Sequence, residues 1–107
     1  MARINGRETP DAIARREPFQ GHGSIRGKWV TGMLGYMENG APASGQLPKE
    51  HRAQLRADLN THGRVYVVWS YATPIAWTTP DGETRVPDVK YSVTTSRHQG
   101  YARRGFA

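Results

Sequence analysis

The strongest β-branched and aromatic run covers residues 64–71, "RVYVVWSY", where Val65, Val67, Trp69 and Tyr71 fall on one side of an extended chain and Tyr66, Val68 and Ser70 on the other. Both sides are apolar enough for a central strand covered on both faces. The next run, "TPIAWTT", keeps the two-residue period through Ile75 and Trp77. "PDGE" at residues 80–83 then signals a turn, and "TRVPDVKYSV" returns from it, with Pro87 marking an edge or a bulge. Nearer the N-terminus, "IRGKWV" has the alternation of a short strand with Ile25 and Trp29 on a shared face. The period changes to four over residues 47–63, "LPKEHRAQLRADLNTHG". Leu47, His51, Leu55 and Leu59 recur along one stripe, Pro48 suits a first helical turn, and Gly63 supplies the stop. This helix lays a narrow leucine stripe on the sheet and leaves Glu50, Arg52, Arg56 and Asp58 in solvent. Toward the C-terminus Thr94, Thr95 and Ser96 are successive cap candidates for a short helix from about Ser96, although Gly100 falls within it.

Together these elements predict an α+β fold: a small antiparallel sheet of three to five strands, one packed helix, and a short C-terminal helix beside it. At 107 residues the chain fits one domain, which buries about two-thirds of the surface of its unfolded chain. The apolar residues concentrate between Trp29 and Val93, so residues 18–107 form the domain. Residues 1–17 are polar and proline-punctuated, and "PDAIARRE", with Ile13 as its one large apolar side chain, reads as a transient helix in a mobile arm. Residues 19–40 are studded with glycines that imply tight turns, and residues 38–48 read as a loop. No apolar run approaches the roughly 20 residues of a membrane span, and the N-terminal residues lack the apolar centre of a signal peptide. A soluble intracellular protein is expected.

Charge adds a candidate surface. The formal net charge is +6, from 15 basic and 9 acidic residues, and arginine outnumbers lysine 12 to 3. Residues 89–107 carry Lys90, Arg97, Arg103 and Arg104 without an acid, and residues 18–37 carry Arg26 and Lys28 without one. Arginine pairs bidentately with phosphate and stacks on rings, so a polyanionic partner is permitted. Hydroxyls at a helix start leave backbone N–H groups pointing outward, and Thr95, Ser96, Arg97 and His98 fit that role. The alternative is that Thr95 only caps a helix packing Tyr101 and Phe106 on the sheet. Tyr66, Tyr71, Tyr91 and Tyr101 are candidate surface rings for stacking unpaired bases, while Trp29, Trp69 and Trp77 are more simply core.

Catalytic signals are thin. Absence of cysteine removes disulfides, thiolate zinc sites and cysteine nucleophiles. "GHGSIRGK" resembles a phosphate loop in composition but lacks the Walker spacing and a preceding strand, and turn chemistry explains its glycines better. His22, His51, His62 and His98 are scattered without metal-binding spacing, no G-x-S-x-G surrounds a serine, and Asp81, Glu83 and Asp88 are more simply turn and edge residues. A phosphodiesterase using His98 as base is physically allowed, without a visible carboxylate cluster to hold its metal. No catalytic residue, metal ligand or cofactor is assigned.

The blocks "YVVWSYATPIAW" and "PDVKYSVTTSRHQ", with the preceding "PFQGHGSIRGKW", resemble a group of small proteins encoded by actinobacterial bacteriophages and related mobile elements. The helix over residues 47–63 lies outside these blocks. The resemblance implies a phage origin and the cytoplasm of the bacterial host as workplace, and it transfers no catalytic residue. In that setting the chain is expected to bind DNA or RNA without catalysis, away from any membrane. Arg26, Lys28, Lys90, Arg97, Arg103 and Arg104 would contact phosphates, Thr95, Ser96 and His98 would hydrogen-bond, and Tyr91 or Tyr101 would stack. A second expectation is a module that docks on a host protein through the same surface.

Overall fold

The structure, a computed structural model, describes residues 3–32, 37–38, 41–42 and 45–107. Along the chain run β1 (Arg3–Ile4), α1 (Thr9–Ala14), β2 (Phe19–Gly21), β3 (Ile25–Thr31), β4 (Met37–Glu38), β5 (Ala41–Pro42), α2 (Lys49–His62), β6 (Arg64–Ser70), β7 (Thr73–Thr78), β8 (Thr84–Arg85) and α3 (Val93–Phe106). The class is α+β, but the main sheet has six strands in the order β1-β2-β3-β6-β7-β8 and is mixed. Its one parallel pair, β1 with β2, is joined through α1, as a parallel connection requires a crossover. The other neighbours pair antiparallel. Within the loop expected over residues 38–48, β4 and β5 form a separate two-stranded sheet. The turn glycines Gly35 and Gly40 lie outside the described residues.

Strand β6 holds the centre, paired with β3 and β7 and buried along all but its first residue. On one face Leu47, Leu55 and Leu59 from α2 and its approach pack on Val30, Val65, Val67, Trp69 and Trp77. On the other, Ala12 and Ile13 of α1 and Ala102 of α3 pack on Phe19, Ile25, Tyr66, Val68 and Ile75. The sheet is therefore covered by helices on both sides, with α3 opposite α2 instead of beside it. Ile75 and Trp77 end up on opposite faces because the register slips between Val68 and Trp69: Val68 pairs with Ala76 and Trp69 with Pro74, so Ile75 is the extra residue of a bulge. Tyr66, expected at the surface, is fully buried and donates its hydroxyl to the Glu17 carbonyl at 2.6 Å. Trp29 is half-buried beneath the Arg64 guanidinium, 4.4 Å from its ring.

Residues 3–17, read from sequence as an arm outside the domain, contribute to the core. Asn5 Oδ1 accepts the N–H groups of Arg7 and Glu8, which folds the chain into α1. Ile13 is fully buried, a placement worth roughly 1.5–3 kcal/mol. Gly105 lets α1 reach α3, since a Cβ there would sit 2.6 Å from Ile13 side-chain atoms.

Helix α2 starts at Pro48 and ends at Gly63, whose φ of 77° suits glycine and whose N–H returns to the Leu59 carbonyl. Asp58, expected in solvent, is 4% exposed. It shares the inward stripe with Leu55 and Leu59 and accepts hydrogen bonds from Trp77 Nε1, Gln54 Nε2 and the Arg85 guanidinium. Burial alone would raise its pKa, but these donors outweigh burial and hold it below the usual carboxylate value. Among the described residues, no helix is long and apolar enough to cross a membrane.

Candidate nucleic-acid interface

Helix α3 begins earlier than its threonines suggest. Ser92, extended at φ −136°, is the N-cap, and its Oγ accepts the Thr95 N–H at 3.1 Å. The helix is thus 14 residues long and spans about 21 Å. Thr95, His98, Gln99, Ala102 and Gly105 are buried, a spacing of three and four that sets one helical face on the sheet. Thr95 and His98 therefore leave the solvent surface. Ser70 Oγ of β6 lies 3.0 Å from Thr95 Oγ1 and 2.7 Å from His98 Nδ1, pinning helix to strand. Burial, then the neighbouring Arg97 charge, lowers the His98 pKa and keeps the imidazole neutral. Ser70 and His98 are spaced like a nucleophile and its base. Yet Ser70 is 1% exposed, and its bond to His98 ties β6 to α3.

The opposite face of α3 exposes Val93, Ser96, Arg97, Arg103 and Arg104, and the helix holds no acid. Among the described residues none of the three arginines pairs with a carboxylate, whereas Arg15 and Arg85 do. Arg103 and Arg104 stand in the last turn, where the helix dipole favours a cation. Lys90 is exposed on the approach to the helix.

Two half-buried tyrosines border this face. The Tyr101 ring lies 5.1 Å from the Arg104 guanidinium carbon and 6.3 Å from the His98 ring, and the exposed Tyr71 ring lies 6.3 Å from His98 on the other side. The Tyr71 and Tyr101 rings thus each approach His98, whose own ring is buried on the inward face of the helix. The second half-buried tyrosine, Tyr91, lies just before α3, with its hydroxyl buried. At the far end of α3 a shallow groove of about 740 Å³ is lined by Asn5, Gly6, Arg7, Pro10, Tyr101 and Arg104. Arg7 joins the surface because β1 docks beside β2. Its sequence neighbourhood, balanced by acids, carried no sign of this.

Arg26 and Lys28 do not belong to this surface. They alternate with Gly27 and Trp29 along β3 and project to the α2 side, where the Arg26 guanidinium carbon lies 4.3 Å and Lys28 Nζ 5.9 Å from the Trp69 ring. The sheet stands between them and α3. The stretch before them is a tight β2–β3 turn with positive φ at Gly23 and Ser24, as its glycines suggested.

No curated protein and no solved structure matches the chain. Residues 38–103 match the model of a family of unknown function, DUF8033. That match covers more than half of the chain, from before α2 to Arg103 in α3, and the protein belongs to this family.

Proposed function

We propose that the protein binds single-stranded nucleic acid along the outer face of α3, without catalysis. The observation that carries this reading is an acid-free helix face with three arginines that pair with no carboxylate among the described residues, with the Tyr101 ring beside Arg104 and the exposed Tyr71 ring near His98. Arginines track the phosphates while rings accept bases whatever their sequence, the combination used by proteins that hold unpaired strands. The contact set is Arg97, Arg103 and Arg104 with Arg7 across the groove, Lys90 and Ser96 at the near end, and Tyr101 as a stacking ring. In the setting implied by the resemblance, the strand is phage or host nucleic acid in the bacterial cytoplasm.

The test is fluorescence anisotropy of labelled DNA and RNA strands and duplexes. Each single-strand phosphate contact adds about 0.7 to the slope of log affinity against log salt, so four arginines and Lys90 predict a slope near −3.5 and about a hundredfold loss between about 50 and 200 mM. Replacing Arg103 and Arg104 by alanine should reduce the size of that slope by about 1.4 for every sequence alike. No binding at low salt, or an unchanged slope, overturns the proposal.

A second reading, docking on a host protein, rests on Val93 and Tyr71, which are 81% and 54% exposed. It predicts that Val93→Ser abolishes partner capture and leaves strand affinity intact.

A further inference from the structure

At the N-terminal end of α3 a cleft of about 300 Å³ opens between the β6–β7 turn, residues 45–46 and the approach to the helix. Its volume is at the small end for ligand sites, room for one compact ring system. Besides Gln46 and Ala72, its lining includes Ser70, Thr73, Ser92 and Thr95 with Tyr71 and Tyr91, none of which carries a formal charge near neutral pH.

The hydroxyls are already oriented. Ser92 Oγ donates to Thr95 Oγ1, which is bonded in turn to Ser70. Thr73 Oγ1 accepts the Gln46 N–H at 2.9 Å, leaving its own proton for another acceptor. Tyr91 is the exception, because its hydroxyl is buried without a partner among the described residues. Buried hydroxyls rarely go unpaired, and because the Tyr91 ring borders the cleft, a ligand with a polar edge that drew this hydroxyl toward it would satisfy it.

Tyr71 supplies the second anomaly. Its φ is 55°, a region that residues with a Cβ seldom occupy, and the residue stays 54% exposed. The conformation is held by the Tyr71 N–H bond to the carbonyl of Ser24, which has a φ of 66° itself.

We propose that this cleft receives one purine or pyrimidine ring, stacked on Tyr71 and hydrogen-bonded along its edge by Tyr91 and the wall hydroxyls. Such a ring has flat apolar faces and an edge of mixed donors and acceptors, which matches an uncharged wall of hydroxyls beside an exposed aromatic. A phosphate or carboxylate would find no cation in the lining. Lys90 stands outside, in a neighbouring depression that also includes Tyr91 and Ser92, where the backbone of a strand would pass. This assignment rests on the nucleic-acid reading above and names the part of the ligand that reading leaves open.

The experiment compares a labelled oligonucleotide with an abasic sugar-phosphate strand of equal length, against wild type, Tyr71→Gly and Tyr91→Phe. The abasic strand should bind more weakly to wild type. Tyr71→Gly should weaken the base-bearing strand roughly five- to hundredfold, the loss of one stacked base, and Tyr91→Phe severalfold. Neither substitution should change abasic affinity or the salt slope. Both should keep or raise the melting temperature, since one relieves a positive φ and the other removes a partnerless hydroxyl. Equal binding of the two strands, or wild-type binding by both variants, overturns the base pocket while the phosphate contacts stand. If no strand binds, the phosphate reading fails and a titration with free nucleosides followed by NMR decides the cleft. Saturable shifts at Tyr71 and Thr95 that vanish in Tyr91→Phe make it a nucleoside site, and their absence overturns it.

Discussion

Replacing Asp58 by alanine removes a buried carboxylate that ties α2 to β7 and β8. Oδ2 accepts Trp77 Nε1 at 2.8 Å and Arg85 Nε at 3.1 Å, while Oδ1 accepts Gln54 Nε2 at 3.0 Å and Arg85 Nη2 at 3.3 Å. The losses are unequal. Trp77 is fully buried, so its N–H is left without an acceptor, at a cost of about 1–3 kcal/mol. The Arg85 side chain is 35% accessible and already reaches Glu83 at 2.9 Å, so its share is that of a surface pair, up to about 1 kcal/mol. Gln54 is half-buried and can turn to water. Asp58→Ala should therefore destabilise the fold by about 1–4 kcal/mol, lowering the melting temperature by roughly 5–25 °C. Asp58→Asn keeps an acceptor for Trp77 and loses only the charged fork, so it should cost about 1 kcal/mol. Urea melts followed by tryptophan fluorescence measure both. The comparison also has a pH signature. The Asp58 pKa is lower folded than unfolded, so its ionised form stabilises the protein fully above the unfolded value of about 3.9 and loses that effect as pH falls through the folded one. The gap between wild type and Asp58→Asn should close below about pH 4. Equal costs for the two variants, or a loss below about 0.5 kcal/mol for alanine, would refute the reasoning.

Three further outcomes follow from α3. His98 has a folded pKa below its ordinary 6.5, so the unfolded chain binds the proton more readily. Stability should then fall as pH drops through about 6.5, by at most about 1.4 kcal/mol per unit, and a rise on acidification would contradict the buried neutral imidazole. Gly105→Ala should cost about 1–3 kcal/mol in a thermal melt, because the new methyl would lie 2.6 Å from Ile13 and 2.9 Å from the Pro10 carbonyl oxygen. Gly100→Ala in the same helix should instead stabilise by about 0.5–1 kcal/mol, since a Cβ there meets nothing within 4 Å; destabilisation would show that its surroundings are misjudged.

The sheet was legible where apolar residues alone define a face. Residues 64–70 are apolar on both faces and became the central strand, and the leucine stripe and Gly63 marked α2 to within two residues. The misplaced residues are polar ones on those same periods. Asp58 lies three residues after Leu55 and one before Leu59, and Thr95, His98, Gln99 and Ala102 make a regular inward stripe, yet neither stripe is visible when only hydrocarbon side chains are counted as core. Such residues are buried because strand groups meet them, Trp77 and Arg85 for Asp58, Ser70 for Thr95 and His98, and a partner distant in sequence has no local signature. The same limit hid β1 and α1, whose place depends on a parallel pairing across the crossover. It also governed the charges. Arg26 and Lys28 seemed to extend the basic C-terminal segment, but they alternate on β3 toward the α2 side, whereas α3 lies on the other. Which face a helix covers is decided by the sum of its contacts. Arginines close in composition can therefore be divided by the thickness of a sheet, while Arg7, nearly the whole chain away, lines one groove with Arg104.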